Sequence, residues 1–231
     1  MRSAALVAGC LMALATAGCD SKQPEPQAVS SHSSTSSSSA SNSPTSSSTA
    51  SSSTAPPTSA PLSMNEYLQS VGVTVVPVSS ESPANVRVEV PLPDGWENLG
   101  SLDPAYLISD KPSGADQGRT PSAVIYLIKL DGPLDARKAI TEHGFSDAQN
   151  TQNFQKITSS LDDFQGYPSA AIEGTYDNQN VRVHAWNRDV IVPDGPLNYL
   201  VQLTVTTTEA QAAALSKDVA TLTEGLRITK R

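Results

Sequence analysis

From Ser21 to Leu62 the chain is drawn mostly from Ser, Thr, Ala and Pro, and Lys22 and Glu25 are its only charges. Such a stretch cannot bury enough apolar surface to offset the entropy of ordering it, so it is expected to be a disordered tether. Any compact structure must then be built from Ser63 to Arg231, 169 residues, which is within the range of one domain and long enough for a sizeable core. As a flexible coil the tether spans about 35 Å end to end, and Pro56, Pro57 and Pro61 stiffen its far end. Ser and Thr mixed with Pro is also the composition of O-glycosylated stalks. His32, inside this tract, reads as solvent-exposed filler.

Ahead of the tether, Arg2 supplies a positive end and Ala4 to Gly18 is uncharged. That run is shorter than the about 20 apolar residues a membrane-spanning helix needs, and Ala17-Gly18 place small residues at a cleavage point before Cys19. Residues 1–18 thus read as a signal peptide. Ala15-Thr16-Ala17-Gly18-Cys19 has the lipobox pattern, in which the cysteine thiol takes a diacylglycerol and the new amino terminus an acyl chain such as palmitate. Thr16 departs from the Leu or Val preferred at that position, and Val7-Ala8-Gly9-Cys10 is a second candidate that fits the local pattern better. Anchoring at Cys10 would leave only Ser3 to Gly9 as the apolar segment, so Cys19 is the expected attachment site and Cys10 a small apolar residue within the signal; plain secretion is the remaining alternative. Two acyl chains make attachment lasting. Residues 19–62 are then a lipidated cysteine and its tether, and residues 63–231 a domain held on the outer face of the cell membrane, in the cell envelope.

No cysteine follows Cys19, so that domain can form no internal disulfide and must be stabilised by packing. It carries 13 basic and 21 acidic residues, hence the whole net charge of −8. With no basic stripe either, nucleic acid is not an expected partner.

Within the domain, Ser63-Met64-Asn65-Glu66 has capping-box spacing and opens a short helix stopped at Gly72. Val86, Val88 and Val90 alternate with charged residues in a half-exposed strand that ends at Pro91-Leu92-Pro93-Asp94-Gly95. Tyr106 to Ser109 is a brief strand, and Ala123 to Leu130, apolar on both faces, a central one. Pro133 suits the first turn of a helix running to about His143, with Leu134, Ala136, Ala139 and Ile140 inward. Three strands at hairpin spacing follow, roughly Tyr167–Tyr176, Val181–Val192 and Asn198–Thr207. Ala212, Leu215, Val219, Leu222 and Leu226 then mark one helix from Glu209 to Leu226. The expected class is α+β, an antiparallel β-sheet packed with α-helices in a layered sandwich.

Several stretches together resemble the mycobacterial LpqN/LpqT lipoproteins: Met64-Asn65-Glu66-Tyr67-Leu68-Gln69-Ser70-Val71-Gly72-Val73-Thr74, Val90-Pro91-Leu92-Pro93-Asp94-Gly95-Trp96, Asp163-Phe164-Gln165-Gly166-Tyr167-Pro168-Ser169 and Leu197-Asn198-Tyr199-Leu200-Val201-Gln202-Leu203-Thr204-Val205-Thr206. Val183-His184-Ala185-Trp186-Asn187-Arg188 is nearer the LpqT branch. Order and spacing carry the match, over roughly Ser63 to Ile228. The resemblance implies a Mog1/PsbP-like fold and an envelope lipoprotein with no agreed catalytic residues. It also implies an association with transporters that export trehalose mycolates, or contacts with host proteins.

The domain lacks the Gly-x-Ser-x-Gly elbow and holds two histidines, His143 at the carboxy end of a helix and His184 on a strand. Neither has the Cys partners of a structural zinc site, so no metal and no cofactor is expected. Asp162-Asp163 reads as a solvated bend before Phe164, with a weak calcium contact as the alternative. Period-two alternation puts Arg182, His184, Trp186 and Arg188 on one strand face, where an aromatic and two guanidinium groups suit a sugar head group. Against this stands ordinary packing of Trp186 under the last helix with the arginines reaching to the surface. Trp96, after its Pro/Gly turn, either lines a groove or plugs one end of the core. The leading expectation is a non-enzymatic binding or accessory module, for a trehalose glycolipid or a lipid-transport protein. A surface ligand for host proteins, and a hydrolase using His184 as base, are the alternatives.

Overall fold

The computed structural model describes residues 61–231. The signal segment, Cys10, Cys19, His32 and nearly all of the tether lie outside the described residues.

Helix α1 (Met64–Ser70) is set by its capping box: the Glu66 amide donates to Ser63 Oγ at 3.2 Å and the Ser63 amide to Glu66 Oε2 at 2.8 Å. Gly72, at φ +81°, ends it in a conformation that L side chains disfavour. The next elements are β1 (Thr74–Pro77), β2 (Val86–Glu89), β3 (Glu97–Leu102), β4 (Ala105–Asp110) and β5 (Ser122–Asp131). After these come α2 (Ala136–His143), α3 (Ser146–Gln149), β6 (Gln155–Ser160), β7 (Ser169–Asn178), β8 (Val181–Asp194) and β9 (Leu197–Thr208). Two helices, α4 (Glu209–Ala212) and α5 (Ser216–Gly225), and strand β10 (Arg227–Lys230) complete the chain.

The main sheet runs β3-β4-β5-β9-β8-β7-β6, with β1 added on β5, and its pairings are antiparallel. β9 follows β5 along its whole length, while β4 and β1 divide the other edge of β5 between them. Burial on both faces explains why β5 is apolar from Ala123 to Ile128 and at Leu130. β2 and β10 form a separate two-stranded ribbon.

Alternation along the strands sorts the core into two layers. On one face, Leu127, Val190, Val192, Val201 and Leu203 pack with Val86 and Val88 of the ribbon and with Leu222 and Leu226 at the end of α5. On the other, Leu130, Ile191 and Leu200 pack with Met64 and Leu68 of α1 and Ala139 and Ile140 of α2. This is the expected α+β layered sandwich.

Two element boundaries differ from expectation. Helix α2 begins at Ala136 and not at Pro133, because Asp135 serves as N-cap, its carboxylate accepting from the Lys138 amide at 2.9 Å. The last helix is divided: Leu215, at φ −99° and ψ 7°, leaves helical values, and the Ser216 hydroxyl takes the Ala213 carbonyl at 3.0 Å. Leu222 and Leu226 are fully buried, whereas Ala212, Leu215 and Val219 are only half-buried.

Beneath α1 the second layer holds two acids. Asp147 Oδ1 accepts from the Met64 amide at 3.3 Å, and Asp189 Oδ1 accepts from Gln202 Nε2 at 3.2 Å. Burial, then the Asp147 charge, pushes Asp189 well above the usual carboxylate range; burial raises Asp147, and the Glu66 charge adds to it. A carboxyl with a raised folded-state pKa leaves the folded chain holding more protons than the unfolded chain, so stability falls as pH rises from about 4, where an unfolded aspartate titrates, towards the raised value. Asp189→Asn keeps the acceptor for Gln202 and removes this loss. Its melting temperature should exceed that of the wild type at pH 7, and the two should converge below about pH 4, where both states are protonated. In the other layer, Leu222→Ala should cost about 2–5 kcal/mol, read by denaturant unfolding.

Candidate functional site

Strand β8 decides what the sheet shows to solvent. Its register is fixed at both ends by two-residue turns. Gln179 and Asn180, both at positive φ (50° and 64°), join it to β7, and Gly195 at φ +61° with Pro196 joins it to β9. Val190 and Val192 lie under the ribbon and α5, and side chains of the same parity towards the start of the strand emerge beyond that cover. Arg182, His184, Trp186 and Arg188 are therefore all half-exposed on one face, while Val183 and Ala185 are buried on the other with Tyr176.

The strip is a set of cross-strand pairs with β7, in which Asp177 stands opposite Arg182, Thr175 opposite His184, Glu173 opposite Trp186 and Ala171 opposite Arg188. His184 Nε2 lies 2.8 Å from Glu173 Oε1, a diagonal contact. Arg182 donates to Asp177 Oδ1 at 3.0 Å, to Thr175 Oγ1 at 2.6 Å and to the Asn153 carbonyl at 2.9 Å. Hydrogen bonds from Asn153 and then from Arg182 hold the Asp177 carboxyl below its usual range. The two hydroxyls flanking His184 across the sheet are engaged elsewhere, Thr175 by Arg182 and Thr207 by the Thr208 carbonyl at 3.0 Å.

Arg188 is held differently. Its guanidinium carbon sits 4.2 Å from the centre of the Phe164 ring and 5.1 Å from that of Trp186. Nη1 reaches Ser169 Oγ only at 3.4 Å, and Nε is buried without a hydrogen-bond partner. A buried donor left in that state costs about 1–3 kcal/mol. Burial also pulls the guanidinium below its ordinary pKa. The loop carrying Phe164 is fixed by Gln165, which donates to the Leu226 carbonyl at 2.8 Å and accepts from the Ile228 amide at 3.1 Å.

Trp96 is elsewhere in function if not in layer. It is 6% exposed, and its indole N–H donates to Asp218 Oδ2 at 3.0 Å, the atom that Lys111 Nζ approaches at 2.6 Å. Burial raises the Asp218 carboxyl, but the bonds from Lys111 and Trp96 outweigh it and leave it below the usual range. Trp96 fastens α5 over the core and presents no open ring face to a ligand. His143 stacks on Tyr67, ring centres 4.0 Å apart, with Nδ1 3.2 Å from the Leu62 carbonyl. Asp163 pairs with Arg137 at 2.5 Å and Asp162 accepts from Ser160 at 2.7 Å, so the bend is solvated but not idle. Among the described residues no three His, Cys, Asp or Glu side chains gather as a metal-binding group.

Sequence reasoning missed Phe164 and Glu173 as members of this face, and the buried Ser169 beside Arg188. The only signal for the two strand residues was the hairpin offset between β7 and β8. Phe164 carried none, because its loop is placed by contacts to the far end of the chain.

The family model described as "Probable lipoprotein LpqN" matches residues 60–229. A protein named as lipoprotein LpqT of Mycobacterium leprae (strain TN) is 36% identical over 177 residues, covering 74% of this chain and 78% of that one. Its namesake in Mycobacterium tuberculosis (strain H37Rv) is 31% identical over 232 residues, covering 99% and 94%. The crystal structure of M. tuberculosis LpqN, a protein described as involved in cell envelope biogenesis, superposes with a TM-score of 0.67 at 21% identity, covering 73% of this chain and 98% of that one, and so shares the fold. The chain belongs to the LpqN/LpqT family of lipoproteins.

Proposed function

We propose that this lipoprotein is a non-enzymatic recognition module of the cell envelope, anchored through Cys19, which takes the sugar head group of a trehalose glycolipid on the β8 strip. The observation that carries the reading is the strip itself: Trp186, half-exposed, flanked by donors and acceptors already fixed in place by cross-strand bonds. A ring face beside oriented polar groups is the usual chemistry of carbohydrate recognition, in which the apolar side of the sugar stacks and its hydroxyls bond at the rim. Preorganisation supports binding because little side-chain entropy remains to be lost. Hydrolysis is disfavoured because no hydroxyl among the described residues is hydrogen-bonded to His184, and the Thr207 hydroxyl across the sheet donates to the Thr208 carbonyl instead.

The test is a titration of the intact chain, in detergent, with an acylated trehalose, free trehalose and the matching fatty acid as separate arms, followed by isothermal titration calorimetry. Saturation by the acylated sugar is expected, with Trp186→Ala weakening it about tenfold or more, equivalent to about 1.4 kcal/mol. Equal affinity in Trp186→Ala would overturn the reading. Absence of saturation together with crosslinking of the chain to a membrane lipid transporter would move the function to that transporter.

A further inference from the structure

Each carboxylate on the elements bordering Arg188 on this face is bound to another group. Glu173 meets His184, Asp177 meets Arg182, Asp163 meets Arg137 and Asp162 accepts from Ser160. Across the sheet Arg188 stands between Ala171 and Leu203, which bring no charge. Among the described residues it forms no ion pair, yet its guanidinium is drawn between two aromatic rings and its Nε is buried without an acceptor. The aromatic contacts do not replace an acceptor, because a ring face attracts the cation without accepting along the fork of N–H groups. The loop above is fixed at Gln165, so Phe164 holds the cation in position before any ligand arrives.

We propose that Arg188, held by Trp186 and Phe164, is the receptor for a forked oxyanion, a carboxylate or a phosphate, carried by the ligand of this strip. The inference rests on the β8 strip being the binding face, and adds that its ligand is anionic at one end. A planar guanidinium matches two coplanar oxygens by two parallel hydrogen bonds, which a lysine ammonium cannot do. In a domain of net charge −8, an anion is repelled everywhere that lacks such a local cation, so the subsite would select as well as bind.

The experiment is an NMR titration of the intact chain in neutral detergent with inorganic phosphate and, separately, acetate, at constant ionic strength with chloride. It follows the Arg188 Nε–H and Trp186 indole N–H signals. A saturable shift of both is expected, and the anion that produces it identifies the class. In Arg188→Gln the indole response should weaken at least tenfold, and in Arg188→Lys, which keeps the charge and the fold but loses the fork, by several-fold. Arg87→Gln, which removes an exposed cation paired with Glu89 on β2 and outside the strip, should respond as wild type. A shift linear in added anion, or one unchanged in Arg188→Gln, overturns the proposal; the Arg188 signal decides it even where a variant fails to fold. The neutral acylated trehalose is titrated alongside. If it saturates while neither anion does, the anion subsite falls and the glycolipid reading stands. If an anion saturates and the acylated trehalose does not, the subsite stands and the neutral glycolipid is excluded as the ligand of the strip.

Discussion

The structure depends on the register of β8 between β7 and β9. The domain has no cysteine to fix its layers, so which side chains enter the core is decided by where each hairpin turns. Two-residue turns at Gln179-Asn180 and Gly195-Pro196 set that registration over ten pairs with β7 and twelve with β9. A slip of one residue would carry Arg188 into the buried place of Asp189, or Trp186 into that of Ala185, and would exchange Ile191 with the valines of the other layer. The same constraint that closes the core therefore creates the open strip, because β8 continues past the edge of the layer made by the β2–β10 ribbon and α5.

Electrostatics then divides the strip into satisfied and unsatisfied parts. Arg182 and His184 have half-buried carboxylate partners supplied by β7, whose role is to fix geometry. Arg188 has rings in place of a counter-charge. Its arrangement costs stability locally, and such a cost is tolerated where the surrounding packing over-determines the position. The acids under α1 are the counterpart on the opposite face: Asp189 is buried close to Asp147 with an amide as its partner, and it too is held by the layer around it.

Much of the architecture was legible from pattern alone. Capping-box spacing located α1, apolar character on both faces located β5, and alternation with turn chemistry located β7, β8 and β9 within a few residues. Strands β1, β3, β6 and β10 were not seen, for a physical reason: β3 and β6 lie at the sheet edges with largely exposed residues such as Leu99 and Ile157, so they carry no inward pattern. β1 and β10 are four residues long and exist by pairing with distant strands. The last helix looked continuous because its apolar spacing survives the break at Leu215, where the backbone departs and the side-chain stripe does not. At the candidate site, alternation identified the four residues of β8 that share a face. It gave no access to Glu173 beside His184 or to Phe164 over Arg188, since a diagonal contact depends on the hairpin offset and a loop contact on tertiary packing. Trp96, singled out beside Trp186, proved to be a core residue tied to Asp218.

The claim that the strip is where this lipoprotein meets its ligand is tested most directly by hydroxyl-radical footprinting of the intact chain, with and without a total envelope lipid extract. Selective protection of Trp186 and Phe164, with Trp96 unreactive in both states, is the expected result. Equal oxidation of Trp186 in the two states, with protection appearing on another face of the sheet, would contradict it.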